Sequence, residues 1–302
     1  MLGLPLVSAS MDSFEAVLRR GLTGVTQGAP LLAAGLVSGI VYAIGMFYTV
    51  DVNTADTPTM ILGAIISFLP LAVVPYLTGG ALGCALEASA GGKPGWPTFF
   101  ASANKHYLSL FTAGIAIFAI TLLFSFVMLI SMADITLFCM IGLLTLLALF
   151  VTLMFLEFYD VSIVSENLRG MQGLGASVAF VRKNLGRVLP FFLIVLVAKL
   201  FVQLPAFAAQ MLQMAAEIGT NYSLYINNTT GGMNMSYFNT TAGLQLQPLS
   251  TPTLLSIAVL QILVQTIVFA FVVSYKAEFY RWAKSIKKIT DFDYDFSDEK
   301  KA

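Results

Sequence analysis

The sequence is short of charge. Only 11% of its 302 residues are Asp, Glu, Lys or Arg, against about a quarter in soluble globular domains. The hydrophobic share is 58% and the mean hydropathy +0.84. That balance excludes a water-soluble globular domain and points to an integral membrane protein. Histidine occurs once, at His106, and cysteine twice, at Cys84 and Cys139, both in or beside apolar runs. No disulfide framework or thiolate metal site is therefore expected, and both cysteines read as packing residues. His106 reads as an interfacial side chain, because no second His or nearby Cys completes a site. The chain also lacks a P-loop glycine pattern and any nucleophile, base and acid that spacing identifies. No catalytic residue, metal, cofactor or nucleic-acid partner is expected. Residues 1–28 lack a basic region followed by a compact apolar core, so no cleaved signal peptide is expected either.

Whole stretches lack basic residues, and this sets the topology. Runs at 30–50, 59–80, 107–131, 135–156, 188–214 and 252–275 carry a single charge between them, Lys199. Each is long enough, at 1.5 Å per residue, to cross a hydrocarbon core of about 30 Å. Of the 16 Lys and Arg residues, 15 fall in segments on one side of such an arrangement, and the other is Lys199. Asp51, Asp56, Asp134 and Glu217 mark the opposite side. By the positive-inside rule the expected fold is all-α: a polytopic membrane protein of six transmembrane helices, with both termini cytoplasmic and the loop 218–251 extracytoplasmic. Residues 1–289 form one domain, and 290–302 an acidic disordered tail.

Short amphipathic helices are expected at the inner surface. Phe14, Val17 and Leu18 make an apolar stripe opposite Glu15, Arg19 and Arg20. Leu174, Val178, Val181, Leu185 and Val188 make a second, beside Arg182, Lys183 and Arg187. After the last span, Phe279, Trp282, Ile286 and Ile289 interleave with Arg281, Lys284, Lys287 and Lys288, as suits a helix on an anionic leaflet. Setting Lys105 against Lys183 also aligns Gly95 with Gly173, which suggests a repeated unit of surface helix and transmembrane hairpin. Gly35, Gly39 and Ala43, four apart, offer a small-residue face for close helix approach. Pro70 and Pro75, followed by Gly79, Gly80 and Gly83, predict a kinked or partly unwound second span.

The loop 218–251 holds five Asn-x-Ser/Thr triplets, at Asn221, Asn227, Asn228, Asn234 and Asn239. These are glycosylation candidates. Asn53, Asn104, Asn167 and Asn184 all lack the pattern, which agrees with an outer position for this loop.

A charge at mid-bilayer costs about 2.5–3.5 kcal/mol on insertion scales and calls for company. Lys199, Gln203, Ala206, Gln210, Gln213 and Glu217 recur at spacings of four and three along one helix face. Gln261 and Gln265 on the sixth span fall at matching depths if the two spans are antiparallel neighbours. The expectation is a polar seam of Lys199, Gln203, Gln210, Gln261 and Gln265. It either binds a polar or anionic ligand or holds the helices together by glutamine hydrogen bonds.

The stretches Ile163-Val164-Ser165-Glu166-Asn167, Ala176-Ser177, Lys183-Asn184 and Tyr275-Lys276-Ala277-Glu278-Phe279-Tyr280-Arg281 resemble uncharacterised multi-pass membrane proteins of archaea. More loosely the chain resembles the membrane domain attached to some bacterial glycerophosphodiester phosphodiesterases, without room for their catalytic barrel. The resemblance carries no assigned activity. Two functional readings remain: a non-enzymatic scaffold or lipid-interacting accessory protein, favoured by the surface helices, and a small-solute or ion transporter or channel component, favoured by Lys199 and the broken second span. An intramembrane enzyme is the least supported. Expected partners are membrane lipids, including anionic headgroups, and either a membrane protein or a second copy of the chain.

Overall fold

The computed structural model describes residues 15–22, 28–50, 65–66, 68–131, 138–228 and 251–295, all helix, turn or short connection, with no strand among them. The elements are α1 (residues 15–22), α2 (Ala29–Val50), α3 (Leu69–Ser89), α4 (Trp96–Ser131), a π-helical turn (Phe138–Gly142) leading into α5 (Leu143–Leu156), α6 (Tyr159–Glu166), α7 (Gly170–Asn228) and α8 (Thr251–Asp295). Among the described residues, five helical stretches are long and apolar enough to cross a membrane: Leu69–Ser89, Trp96–Ser131, Phe138–Glu166, Gly170–Ala209 and Pro252–Ser285. The first expected span corresponds to α2, an uncharged helix of 22 residues that begins with the apolar stretch Ala29–Gly45.

Helix α4 shows how these elements sit. At 36 residues it is about 54 Å long, well beyond a core of about 30 Å. Its buried residues are Phe99, Ala103, His106, Leu110 and Ala113, all in the first half, and then only Ser131. The second half exposes Leu122, Leu123, Phe126, Leu129 and Ile130. Exposed apolar side chains of this size suit contact with acyl chains. Packing is thus concentrated where α4 begins, at the end that also carries Lys105, Arg281 and Lys284 and is called here the basic end.

Glycines set the closest approaches. A Cβ on Gly35 would lie 2.5 Å from the Thr266 carbonyl oxygen, and one on Gly39 would lie 2.9 Å from that of Ile262, so α2 and α8 meet backbone to backbone. The small-residue face read from the sequence is this contact. On α3, Gly80 faces the Phe99 ring and Gly83 faces Ser102, both on α4. Helix α3 passes through Pro75 and these glycines without interruption. The expected unwinding is therefore corrected: the glycines admit α4, and Ser102 donates to the Gly79 carbonyl at 2.7 Å. This helix runs on to Ser89, past the expected end at residue 80, and residues 59–64 and 67 lie outside the described residues.

The charged connection after α5 is folded into the body. The helical path breaks at Glu157 and Phe158, resumes as α6, and ends at Asn167 in the left-handed region (φ 56°). There the Leu168 N–H bonds back to the Ile163 carbonyl, closing the helix end. Ser177 of α7 repairs the break: it accepts from the Phe158 N–H at 3.1 Å and donates to the Phe155 carbonyl at 2.7 Å. Backbone groups freed inside a membrane domain need such partners. Helix α7 kinks at Asn184, so its first part, 170–183, is the second amphipathic helix expected from the sequence. Leu174, Val181 and Val188 are buried in protein rather than turned to lipid. In α1, likewise, Val17 belongs to the core, and Gly21 lies against the Tyr275 backbone. Helix α8 runs to Asp295, into the segment read as a disordered tail; 296–302 lie outside the described residues.

Candidate functional site

Two polar clusters stand out among the described residues of this apolar body. The first is a buried junction of four charges. Lys276 of α8 reaches Glu157 Oε1 at 2.9 Å and Asp160 Oδ2 at 3.0 Å. Lys199 of α7 donates to both Glu157 oxygens, at 3.0 and 2.9 Å. The Lys276, Glu157 and Asp160 side chains are 7%, 6% and 8% exposed, whereas that of Lys199 is 52% exposed. Asp160 Oδ1 also accepts from the Val161 N–H at 2.8 Å. The helix break supplies both carboxylates. Two cations face two anions, which offsets the cost of burying each. Beside them Phe158, Phe191, Tyr275 and Phe279 stack with ring centroids 4.4–5.6 Å apart, an apolar collar for the charges.

The seam expected around Lys199 is corrected by this arrangement. Its partner is Glu157, and the sixth-span glutamines turn elsewhere. Gln265 donates to Ser38 of α2 at 3.1 Å, and Gln261 is buried with no hydrogen bond to its Oε1. The reason is the glycine contact: α8 presents its glutamine face to α2, the helix that approaches it most closely. Gln203 is exposed. The side chain of Gln210 lies outside the described residues, as do those of Asn221, Asn227 and Asn228 on the last turns of α7. Asn234 and Asn239 lie outside them altogether.

The second cluster surrounds an open pocket of about 840 Å³ at the basic end. Four helices build it. Helix α3 contributes Gly83, Leu86 and Glu87; α4 contributes Thr98, Ala101, Ser102, Lys105 and His106; α8 contributes Tyr280, Arg281 and Lys284; and Val164, Ser165 and Asn167 come from α6 and its cap. Spacings of three and four on α3, α4 and α8 put each set on one helix face. The walls meet because Gly83 leaves room for Ser102.

Some of these groups are already engaged. The Tyr280 hydroxyl bonds to Ser162 and Glu166, and Lys284 pairs with Glu166 and lies over the Tyr280 ring. Arg281 donates through one terminal nitrogen to the Ser89 carbonyl and hydroxyl. A guanidinium has five N–H groups, so most of its donors remain. Lys105 is exposed and has no hydrogen bond or ion pair among the described residues. His106 is only 6% exposed, yet its ring has no hydrogen-bond partner among the described residues, and it lines the pocket. Its ring nitrogens are not among the buried polar atoms left without a partner, so they face the open volume of the pocket, where a ligand can reach them. The sequence placed His106 at an interface; α4 begins ten residues earlier, at Trp96, and carries it inward.

The basic residues expected at a lipid surface divide. Arg281 and Lys284 line the pocket, Arg187 lies over the Trp282 ring at 5.7 Å, and Arg182 and Lys183 are exposed. The side chains of Lys287 and Lys288 lie outside the described residues. Among the described residues no group of three or more His, Cys, Asp or Glu is placed to hold a metal. The sequence reading missed Glu157, Asp160 and Lys276 as a unit. The signal was present in two acids three apart beside a span and a lysine at the end of another.

The sequence model of one family, described as a domain of unknown function, DUF7847, matches residues 14–283. No curated protein and no solved structure matches the chain.

Proposed function

We propose that this chain, which belongs to the DUF7847 family, is a non-enzymatic membrane protein that holds a phospholipid headgroup in the pocket at its basic end. The carrying observation is His106, buried and without a hydrogen-bond partner among the described residues, on the wall of a pocket that also holds Lys105 and Arg281. Lys105 and Arg281 bring N–H donors that suit phosphate oxygens, the guanidinium bidentately. The excess of basic residues assigns this end to the cytoplasmic leaflet by the positive-inside rule. Helix α4 is long enough to carry the pocket beyond the hydrocarbon into the headgroup layer. The transport alternative drew on Lys199 as a charge awaiting a solute. Glu157 already meets that charge, which favours the lipid-binding reading.

The test is the amount of phospholipid kept by the purified full-length chain in detergent, read by native mass spectrometry. The wild type should carry phospholipid adducts, and Lys105→Gln with Arg281→Gln should reduce them about tenfold with little change in melting temperature. Equal adducts on both proteins would remove the proposal.

A further inference from the structure

The pocket contains an acid as well as bases. Glu87 lines it, on the α3 face opposite Lys105 and His106 of α4, and its Oε2 is buried with no hydrogen-bond donor facing it. A carboxylate oxygen without a donor is costly to leave in a protein. The neighbouring bases do not relieve it: Arg281 is held by Ser89 and Lys284 by Glu166, while Glu87 takes part in no ion pair among the described residues. Gly92 packs on the Glu87 side chain, where a Cβ would lie 2.6 Å from its Cγ, which fixes the stem at the pocket edge. The terminal carboxylate torsion is broad and two-fold, so either oxygen can turn toward a ligand.

The pocket therefore offers two opposite kinds of contact within one volume. Lys105, His106 and the remaining Arg281 N–H groups are donors, and Glu87 is an acceptor. Phosphate alone satisfies only the donors. We infer that the ligand is a phosphodiester headgroup that also carries a hydrogen-bond donor at its far end, a primary ammonium or a hydroxyl, which Glu87 accepts. This rests on the headgroup reading above and adds the class of headgroup. A head with no N–H or O–H, such as choline, would place methyl groups against the Glu87 carboxylate and leave it unsatisfied.

Charge-matched lipid pairs separate donor chemistry from charge. The full-length protein in detergent is offered phosphatidylethanolamine with phosphatidylcholine, and phosphatidylglycerol with phosphatidylmethanol, at equal acyl composition, and adducts are counted by native mass spectrometry. The donor-bearing member of each pair should bind about tenfold better, equivalent to about 1.4 kcal/mol. In Glu87→Ala both preferences should fall toward unity while total lipid bound stays within a few-fold. If that variant does not fold, the wild-type preference within each pair still decides. Equal binding within both pairs overturns the donor inference and leaves the headgroup pocket standing. Lipid bound no better by the wild type than by the Lys105→Gln, Arg281→Gln protein overturns the headgroup reading itself. Soluble phosphoethanolamine is the competing source. Failure to displace lipid at equal concentration supports a membrane-borne ligand, whereas displacement overturns the lipid assignment.

Discussion

The junction and the pocket use the same residue types to opposite ends. In the junction Lys199 and Lys276 meet Glu157 and Asp160 within 2.9–3.2 Å, and each charge has an opposite neighbour. In the pocket Lys105 and His106 have no partner among the described residues, Arg281 uses one terminal nitrogen, and Glu87 keeps an oxygen unmet. Polarity in an apolar body thus does not by itself mark a site. The difference lies in whether the groups satisfy one another. A saturated cluster fixes helices; an unsaturated one beside open space has capacity for a ligand.

Removing the centre of the junction should have the largest effect. Lys276→Met leaves Asp160 without a cation and Glu157 with only the half-exposed Lys199. Breaking a buried pair from one side costs about 3–5 kcal/mol. The expected outcome is a fall in melting temperature that exceeds that of every pocket variant, with poor recovery from detergent extraction. A Lys276→Met protein as stable as wild type would show that the junction does not hold α6 to α8. Lys199→Met should cost less, about 1 kcal/mol, because Glu157 retains Lys276 and is not left as an unpaired charge. A gain in stability would instead mean that desolvation of Lys199 outweighs its pairing.

The helices themselves were legible because apolar runs of about 20 residues have few alternatives in a chain this poor in charge. The Gly35 and Gly39 face was legible too, since spacing of four needs no tertiary knowledge. The sequence also showed that Lys199 needs a partner, but not which one. Matching depths on successive spans suggested Gln261 and Gln265, and those glutamines were drawn to α2 by the glycine contact. Glu157 directly follows an uncharged run, and nothing in its spacing marks it as a partner for Lys199. Only the break after Leu156 and the repair by Ser177 turn it inward. The pocket was less visible still. Its lining comes from α3, α4, α6 and α8, and sequence spacing reports one helix face at a time.

The pocket should respond to substitution in the reverse sense. His106→Phe replaces a buried ring without hydrogen bonds by an apolar ring of similar size. Melting temperature should stay close to wild type, because no hydrogen bond within the protein is lost. Bound phospholipid should fall about fivefold, the loss of one ordinary hydrogen bond. A variant that melts well below wild type would place His106 with the structural residues and weaken the contrast between the two clusters.

Salt sharpens the comparison by the smallest expected step. Raising ionic strength from 0.1 to 1 M shortens the Debye length from about 10 to about 3 Å. Ions reach the open pocket and the exposed Lys105, so phospholipid adducts should decline several-fold across that range. They do not reach Lys276, whose side chain is 7% exposed. The melting difference between wild type and Lys276→Met should therefore stay nearly constant with salt. Lys199 belongs to the same junction, and its exposed half lies within the apolar stretch Gly170–Ala209, where detergent rather than salt water covers it. The smaller melting difference for Lys199→Met should likewise stay nearly constant as salt rises. If both differences shrink together, water and ions enter the junction, and its charges are as available as those of the pocket.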